Sequence, residues 1–179
     1  MHRILLIVDP QNDFIDGSLS VPTAVAAMDD LANYVTAHGS DYAHILVTTD
    51  WHPANHCSFQ SEGGQWPVHC VQETHGADIY APLAKALAPF APILLRKGDT
   101  ADKEEYSIFK NARSAETLRA MIAEEHITRI DLCGIAGDIC VLDTYRDGVT
   151  LFSADLFHIL LPFCPSLDGG KAISAVAQP

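Results

Sequence analysis

The sequence is poor in positive charge and has no long hydrophobic run. Only 11 of its 179 residues are lysine or arginine, against 23 acidic residues, so the formal net charge is -12. Proteins that bind nucleic acid through its phosphates, or bind an anionic membrane surface, need basic segments. No stretch approaches the ~18 apolar residues of a membrane-spanning helix, and the apolar run that starts at Ile4 stops at Asp9, too early for a signal peptide. We therefore expect a cytoplasmic protein with no nucleic-acid partner and no membrane partner.

Cysteine is also scarce, and its spacing shows no pattern. The sequence has 5 cysteines, an odd number, and no CxxC pair. This usage does not indicate a disulfide framework and favours a reducing compartment. A length of 179 residues, with 48% hydrophobic and 19% charged residues, fits one globular domain covering residues 1–179.

Short apolar runs alternate with segments of helical periodicity, which predicts an α/β fold with a buried parallel sheet and helices on both faces. Strands are predicted at 3–9, 43–49, 92–96, 129–135 and 156–161. Helices are predicted at 23–37 and 81–88, after a cap at Ser114, from near Asp138, and from Asp168. The long polar segment 51–80 and the irregular segment 98–112 have the length of functional loops.

Chemically active side chains follow four of the predicted strands. Asp9 ends the first strand, Asp50 and His52 follow the second, Lys97 follows the third, and Cys140 follows the fourth after a glycine-containing turn. Ligands of open parallel sheets bind just beyond the carboxyl ends of the strands. We therefore expect a carboxylate, a metal-type pair, a cation and a thiol to converge at one edge of the sheet, as in an enzyme.

The thiol, the carboxylate and the cation form a candidate catalytic group. Cys140 is predicted in a first helical turn, where the positive helix end and unpaired amides favour the thiolate over the free pKa of ~8.5 and could hold an oxyanion. Asp9, beside apolar residues, is expected to have a raised pKa and to carry protons. Lys97 would stabilise both anions. The alternatives are a buried inert cysteine, a turn cap at Asp9 and a solvated lysine at a strand end.

The second strand leads into a candidate metal site. Asp50 and His52 are two residues apart on an extended segment, so their side chains face the same way, and His69 is a natural third ligand for a divalent cation. His56 is either an extra ligand or a residue that lines the loop. Phe14 and Trp66 either form walls of a pocket for a flat ligand or pack locally.

Five motifs, in order along residues 3 to about 147, resemble those of nicotinamidases and of the wider isochorismatase-like cysteine hydrolases. They are VDPQNDF at 8–14, DWHPANHCSF at 50–59, GQWPVHC at 64–70, KG at 97–98 with EYSIF at 105–109, and GIAGDICV at 134–141. The resemblance implies a three-layer α/β/α fold around a mostly parallel sheet of five to six strands. It also implies that nicotinamide is deamidated to nicotinate and ammonia through a cysteine thioester, in NAD salvage.

The resemblance also implies roles for individual residues. The implied catalytic residues are Asp9, Lys97 and Cys140, and the oxyanion hole is formed by the amides of Ala136 and Cys140 beside a cis peptide between Ile135 and Ala136. The implied metal ligands are Asp50, His52 and His69; the metal is expected to be zinc, with iron and manganese as alternatives, and receives the pyridine nitrogen in the family. The implied substrate contacts are Phe14, Trp66, Ile135 and Tyr106. A homo-oligomer is also expected.

Two alternatives remain open, and the sequence departs from the family at three places, one of which is residues 144–148 (TYRDG), where the family usually has TAxDA. The alternatives are a sister cysteine hydrolase that acts on another small amide or carbamoyl compound, and a non-catalytic metal- or ligand-binding module. Gly137 stands where the family usually has threonine, and residues 160–166 (LLPFCPS) differ from the common ending.

Overall fold

The computed structural model describes residues 2–177, and these contain a parallel sheet of five strands. The strands are β1 (Arg3–Val8), β2 (His44–Asp50), β3 (Ile93–Lys97), β4 (Arg129–Gly134) and β5 (Phe157–Ile159). Their order is β3-β2-β1-β4-β5, and each neighbouring pair is parallel. The predicted α/β fold is confirmed. β5 is shorter at both ends than the sequence predicts.

Residues 2–177 contain six α-helices, in two groups around the sheet. They are α1 (Asn12–Ile15), α2 (Ala24–His38), α3 (Ala81–Leu87), α4 (Ala112–Glu124), α5 (Leu142–Leu151) and α6 (Lys171–Val176). α2 packs against α3, whereas α4 and α5 both contact the 3-10 turn Ile108–Lys110. The predicted arrangement of three layers, with helices on both faces of the sheet, is therefore confirmed. The predicted Ser114 cap is wrong: Asn111 Oδ1 accepts the Ser114 amide (3.2 Å), and the Ser114 hydroxyl donates to the Arg96 carbonyl (2.7 Å).

The strand order fixes where a ligand can bind. β1 has β2 on one side and β4 on the other. The chain leaves β1 towards β2 and leaves β4 in the opposite direction, towards β5, which opens a crevice at the carboxyl ends of β1 and β4. Asp9 follows β1 directly, and Gly134 at the end of β4 is paired with Val8. The residues after β1 and β4 therefore lie side by side at this crevice.

The segment after β4 differs from the simple helix start that the sequence predicts near Asp138. A cis peptide joins Ile135 and Ala136, as expected. Next comes a π-helical turn, Gly137–Val141, and only then α5. Single π-turns are rare and often found at functional sites. At the far end, Asp168 does not begin the last helix. Its carboxylate instead accepts the amides of Gly170, the residue before α6, and of Ala172 in the first turn of α6 (both 2.8 Å).

None of the helices in residues 2–177 combines the length and hydropathy required to cross a bilayer. All five cysteines are free thiols: Cys57, Cys70, Cys133, Cys140 and Cys164.

A buried carboxylate in the amino-terminal half of β4 joins this strand to its neighbours. Asp131 is fully buried and accepts hydrogen bonds from Arg3 (2.6 Å), Arg129 (2.7 Å) and the hydroxyl of Tyr42 (2.9 Å). Burial alone would raise the pKa of Asp131, but these donors outweigh it and hold the pKa below its usual value. The ionised carboxylate is therefore the form that stabilises the fold.

We expect Asp131→Asn to lower the free energy of unfolding at pH 7 by about 2–3 kcal/mol, at the low end for a broken buried pair because both arginines reach solvent. A carboxylate with a depressed pKa contributes stability that is present above its unfolded pKa of about 3.9 and is lost as pH falls through the folded value. The difference between wild type and variant should therefore shrink below about pH 4. Urea unfolding of wild type and variant at pH 7 and below about pH 4 tests this, with the exposed Asp155→Asn as control. An equal difference in unfolding free energy at the two pH values would contradict the prediction.

Candidate active site

The ammonium group of Lys97 is the centre of the site. Its Nζ lies 2.7 Å from Asp9 Oδ2, 2.6 Å from Asp50 Oδ1 and 3.6 Å from Cys140 Sγ. Asp50 and Lys97 are opposite each other in the register of β2 and β3, so their side chains point to the same face. The structure thus brings together the three side chains that the sequence predicts as a catalytic group, with one metal-site residue beside them.

The charges on Lys97 and Asp50 depend on each other. Burial alone would lower the pKa of Lys97, but Asp50 and Asp9 raise it well above its usual value, so the ammonium stays charged. Burial alone would likewise raise the pKa of Asp50, yet Lys97 and His52 hold it below its usual value. Each ion is stable in this buried place because its partner is charged.

Asp9 is held rigidly where β1 ends. Its backbone adopts φ of 47°, a left-handed conformation that aspartate tolerates better than most residues. The Thr48 hydroxyl donates to Asp9 Oδ1 (2.6 Å), and the Asp9 amide donates to the Thr48 carbonyl (3.1 Å). Burial raises the pKa of Asp9 to about 6, against the opposing effect of Lys97. The expected raised pKa is confirmed, and it suits a group that takes up and releases a proton near neutral pH.

Cys140 is protonated at rest, which corrects the prediction of a ready-made thiolate. Burial raises the pKa of its thiol well above the usual value, and the opposing effect of Lys97 is too small to reverse this, because Asp9 and Asp50 act in the same direction as burial. The sequence argument counted the helix end but could not count the loss of water or the two carboxylates. A buried thiol of this kind needs a base to become a nucleophile.

Asp50, His52 and His69 offer one ligand atom each within 4.8 Å of one another. His52 Nδ1–H donates to the Gly98 carbonyl (2.8 Å) and His69 Nδ1–H to the Pro67 carbonyl (2.7 Å). Both rings therefore keep Nε2 free as a ligand atom, which is the usual support of a metal-bound histidine.

Two further observations show that the three side chains fit a divalent cation. Nε2 of His52 is buried and has no hydrogen-bond partner in the described part of the chain, 3.6 Å from Asp50 Oδ2. Burial lowers the pKa of His69, which favours the neutral ring that a metal ligand needs, whereas the Asp50 carboxylate, against the effect of burial, raises the pKa of His52. Gly98 makes the close approach possible: its φ is 60°, and a Cβ there would touch the His52 ring.

His56 does not join this set. Its ring stacks on that of His52 with centroids 3.9 Å apart. Nε2–H donates to the Lys103 carbonyl (3.0 Å), while Nδ1 accepts the Ser58 hydroxyl (2.7 Å). Because both of its nitrogens are hydrogen-bonded, His56 is not available as an extra metal ligand in this structure. It supports the orientation of His52 through ring stacking.

A small cavity, partly open to solvent, is lined by Cys140 and by two of the metal-type residues, Asp50 and His69. Phe14, Trp66 and Tyr106, three of the four predicted substrate contacts, line it. The Trp66 indole N–H donates to the Tyr106 hydroxyl (2.9 Å), which fixes both rings. The side chain of Ile135, the fourth, is fully buried and is not among the lining residues, because the strand ends one residue earlier and the turn directs it into the core.

The Ala136 amide is free to bind an anion. It finds no acceptor among residues 2–177, although its carbonyl accepts the amides of Ile139 and Val141 (both 3.1 Å). Ala136 lines the cavity together with Cys140. Both residues whose amides are predicted to form the oxyanion hole therefore line the cavity.

The sequence argument missed residues that fix the backbone of the site through buried hydrogen bonds. Gln11 is fully buried; it accepts the Asp50 amide (2.8 Å) and donates to the Asp50 carbonyl (2.7 Å). Glu105 accepts the Gly98 amide (2.8 Å) and so fixes the residue after Lys97. Both lie inside the motifs at 8–14 and 105–109, but only long-range contacts reveal what they do. Glu104, which lines the cavity, was also missed.

Comparison with known proteins agrees with this geometry. The isochorismatase domain family matches residues 3–151. The nicotinamidase/pyrazinamidase of Mycobacterium tuberculosis is 35% identical over 152 residues, which cover 82% of this chain and 78% of the relative.

Two solved structures are similar over almost the whole chain. The pyrazinamidase of Pyrococcus horikoshii in complex with zinc has a TM-score of 0.83 at 31% identity, covering 98% of this chain and 94% of the other. The yeast nicotinamidase bound to the inhibitor nicotinaldehyde has a TM-score of 0.85 at 25% identity, covering 97% and 93%. By sequence and by fold, this chain belongs to the isochorismatase family.

Proposed function

We propose that this chain, acting as one hydrolase domain, is a nicotinamidase that hydrolyses nicotinamide to nicotinate and ammonia, a step of NAD salvage. One observation carries the proposal: Lys97 contacts Asp9, Asp50 and Cys140, and of these residues Asp50 and Cys140 line a small, mostly apolar cavity together with His69. A molecule bound there would therefore meet the nucleophile and two of the metal-type ligands, with the base and Lys97 directly behind them. The names of the curated relatives support nicotinamide as that molecule.

Asp9 and Cys140 carry out the covalent steps. Asp9 takes the thiol proton of Cys140, and Sγ attacks the carboxamide carbon to form a tetrahedral adduct. The C–N bond then breaks, Asp9 returns the proton to the departing ammonia, and a thioester to Cys140 remains. Asp9 next takes a proton from water, whose oxygen attacks the thioester carbon. The C–S bond then breaks, Asp9 returns the proton to Sγ to restore the thiol, and the nicotinic acid released ionises to nicotinate. The raised pKa of Asp9, about 6, suits these proton transfers.

Two groups stabilise charge during these steps. The negative oxygen of the tetrahedral adduct binds the amides of Ala136 and Cys140, and the absence of any acceptor for the Ala136 amide within residues 2–177 supports this role. The Lys97 ammonium stabilises the Cys140 thiolate from 3.6 Å and keeps Asp9 in reach.

Asp50, His52 and His69 would hold zinc, with iron or manganese as alternatives. The cation, when bound, supplies a Lewis-acidic centre that receives the pyridine nitrogen and orients the ring. Phe14 and Trp66 then face the ring, and Tyr106 fixes Trp66 through its hydroxyl. The zinc complex of the pyrazinamidase from Pyrococcus horikoshii supports the choice of metal.

The proposal is tested by ammonia release from the zinc-loaded protein. Nicotinamide should be hydrolysed, and benzamide, which lacks the ring nitrogen, should have a kcat/KM lower by at least about 100-fold, because a site built to bind a polar atom rejects an analogue without it. Release from a carbamoyl compound but not from nicotinamide would instead identify a sister hydrolase. No release from any amide, together with a Cys140 that alkylators do not label, would identify a non-catalytic module.

The cellular compartment and the oligomeric state are also part of the proposal. Five free thiols support a reducing compartment such as the cytoplasm. A homo-oligomer remains our expectation, and light scattering of the purified protein tests it.

A further inference from the structure

The C-terminal segment, defined here as residues 160–170, folds back onto the turn that carries Cys140. The Gly137 amide donates to the Pro165 carbonyl (2.8 Å). The two oxygens of the Asp138 carboxylate accept the amides of Leu167 (3.0 Å) and Asp168 (2.9 Å). Three hydrogen bonds therefore join this segment to residues two and three positions before the nucleophile.

Gly137 makes this contact possible. A Cβ at this position would meet the Ser166 hydroxyl and would lie 2.6 Å from the Cys164 carbonyl oxygen. Neither atom can move away easily, since the Ser166 hydroxyl donates to that same carbonyl (3.0 Å). The C-terminal segment thus occupies the space that a side chain at 137 would fill. The departure from the family pattern at Gly137 therefore fits the departure at residues 160–166.

The segment places Leu167 at the mouth of the cavity. Its side chain is 43% exposed and lines the cavity that Phe14, Trp66 and Cys140 also line. A large apolar side chain that is held at this place by Asp138, rather than by packing in the core, has its surface available to a bound ligand.

We propose that Leu167 is a specificity-determining residue: it closes the cavity wall above Cys140 and excludes amides whose ring carries a further substituent. Asp138 is its positioning residue. This inference rests on the proposed function for the nature of the substrate, but not for the position of the wall.

The first test compares Leu167→Ala with wild type on nicotinamide and on nicotinamides methylated at ring position 2, 4, 5 or 6. For at least one methylated amide, kcat/KM relative to nicotinamide should rise by about tenfold or more, the value of one carbon in an apolar pocket. Leu161→Ala is the matched control, since Leu161 is an exposed leucine of the same segment and does not line the cavity. Ratios that stay within about twofold of wild type for all of the methylated amides would overturn the proposal.

Asp138→Ala tests the positioning residue. It should change the same substrate ratios in the same direction as Leu167→Ala, and the double variant should add little to either, because both changes remove one wall. A merely structural loss would lower kcat for every amide equally and would leave the ratios unchanged, which would contradict the role of Asp138.

A second readout does not require turnover. Cys140 is labelled with small iodoacetamide or bulky N-phenylmaleimide, and its peptide is quantified by mass spectrometry. Leu167→Ala should accelerate the bulky reagent by at least about fivefold and leave the small one nearly unchanged, since access and thiol ionisation act separately on the rate. If nicotinamide is not hydrolysed but this change is seen, the proposed function fails and the wall stands; equal acceleration of both reagents would overturn the wall.

Discussion

Cys140→Ala is expected to abolish ammonia release from nicotinamide, lowering kcat by at least about 10⁴-fold, because no other group in the site can form the thioester. Nicotinamide should still bind with nearly unchanged affinity, since the cavity walls and the metal ligands remain. Stopped-time ammonia assays and equilibrium titration with nicotinamide measure the two effects separately.

Cys133→Ala is the matched control for this variant. Cys133 lies on β4, is fully buried and does not line the cavity. It should keep its turnover, with some loss of stability. Turnover retained in Cys140→Ala, or lost equally in both variants, would rule out Cys140 as the nucleophile.

His52→Ala is expected to have the second largest effect, through loss of the metal. It removes Nε2, which is a buried atom without a partner in residues 2–177, and should lower zinc affinity by at least about 100-fold. Competition with a chromophoric chelator measures the affinity, and the KM for nicotinamide should rise in parallel. Wild type stripped with a chelator should show the same weak binding of nicotinamide.

His56→Ala offers a close comparison, because the His56 ring stacks on His52 but has both nitrogens bonded elsewhere. It should retain zinc far better than His52→Ala and lose mainly stability. Equal loss of zinc in the two variants would make His56 a ligand. Unchanged nicotinamide affinity after chelation would remove the metal from the proposed function.

The convergence of Asp9, Lys97 and Cys140 could be predicted from the sequence because each lies at the end of a predicted strand or shortly after it. Parallel strands align their carboxyl ends, so the positions of Asp9, Lys97 and Cys140 along the chain were sufficient to bring them to one edge. The same alternation of apolar runs and helical periods predicted all five strands. The length of β5 was overestimated because apolar residues continue beyond Ile159 into a 3-10 turn.

Properties that depend on long-range surroundings could not be predicted. The pKa of Cys140 is set by burial and by carboxylates from β1 and β2, which helix-end reasoning does not include. Gln11 fixes Asp50 across 39 positions of sequence, and the position of Leu167 depends on Asp138, about 30 positions earlier. Ile135 was expected to contact the substrate because it belongs to the motif at 134–141, which also carries Cys140. Its side chain is instead fully buried in the core.

Lys97 lies on β3, which is the outermost strand of the sheet on its side. An edge strand has hydrogen-bonded backbone neighbours on one flank only, so it opens at a lower free energy than the centre of a sheet. A shift of β3 by one residue would also turn this lysine to the opposite face. We therefore expect β3 to open before the central strands β1 and β4, so that activity is lost before the protein unfolds globally.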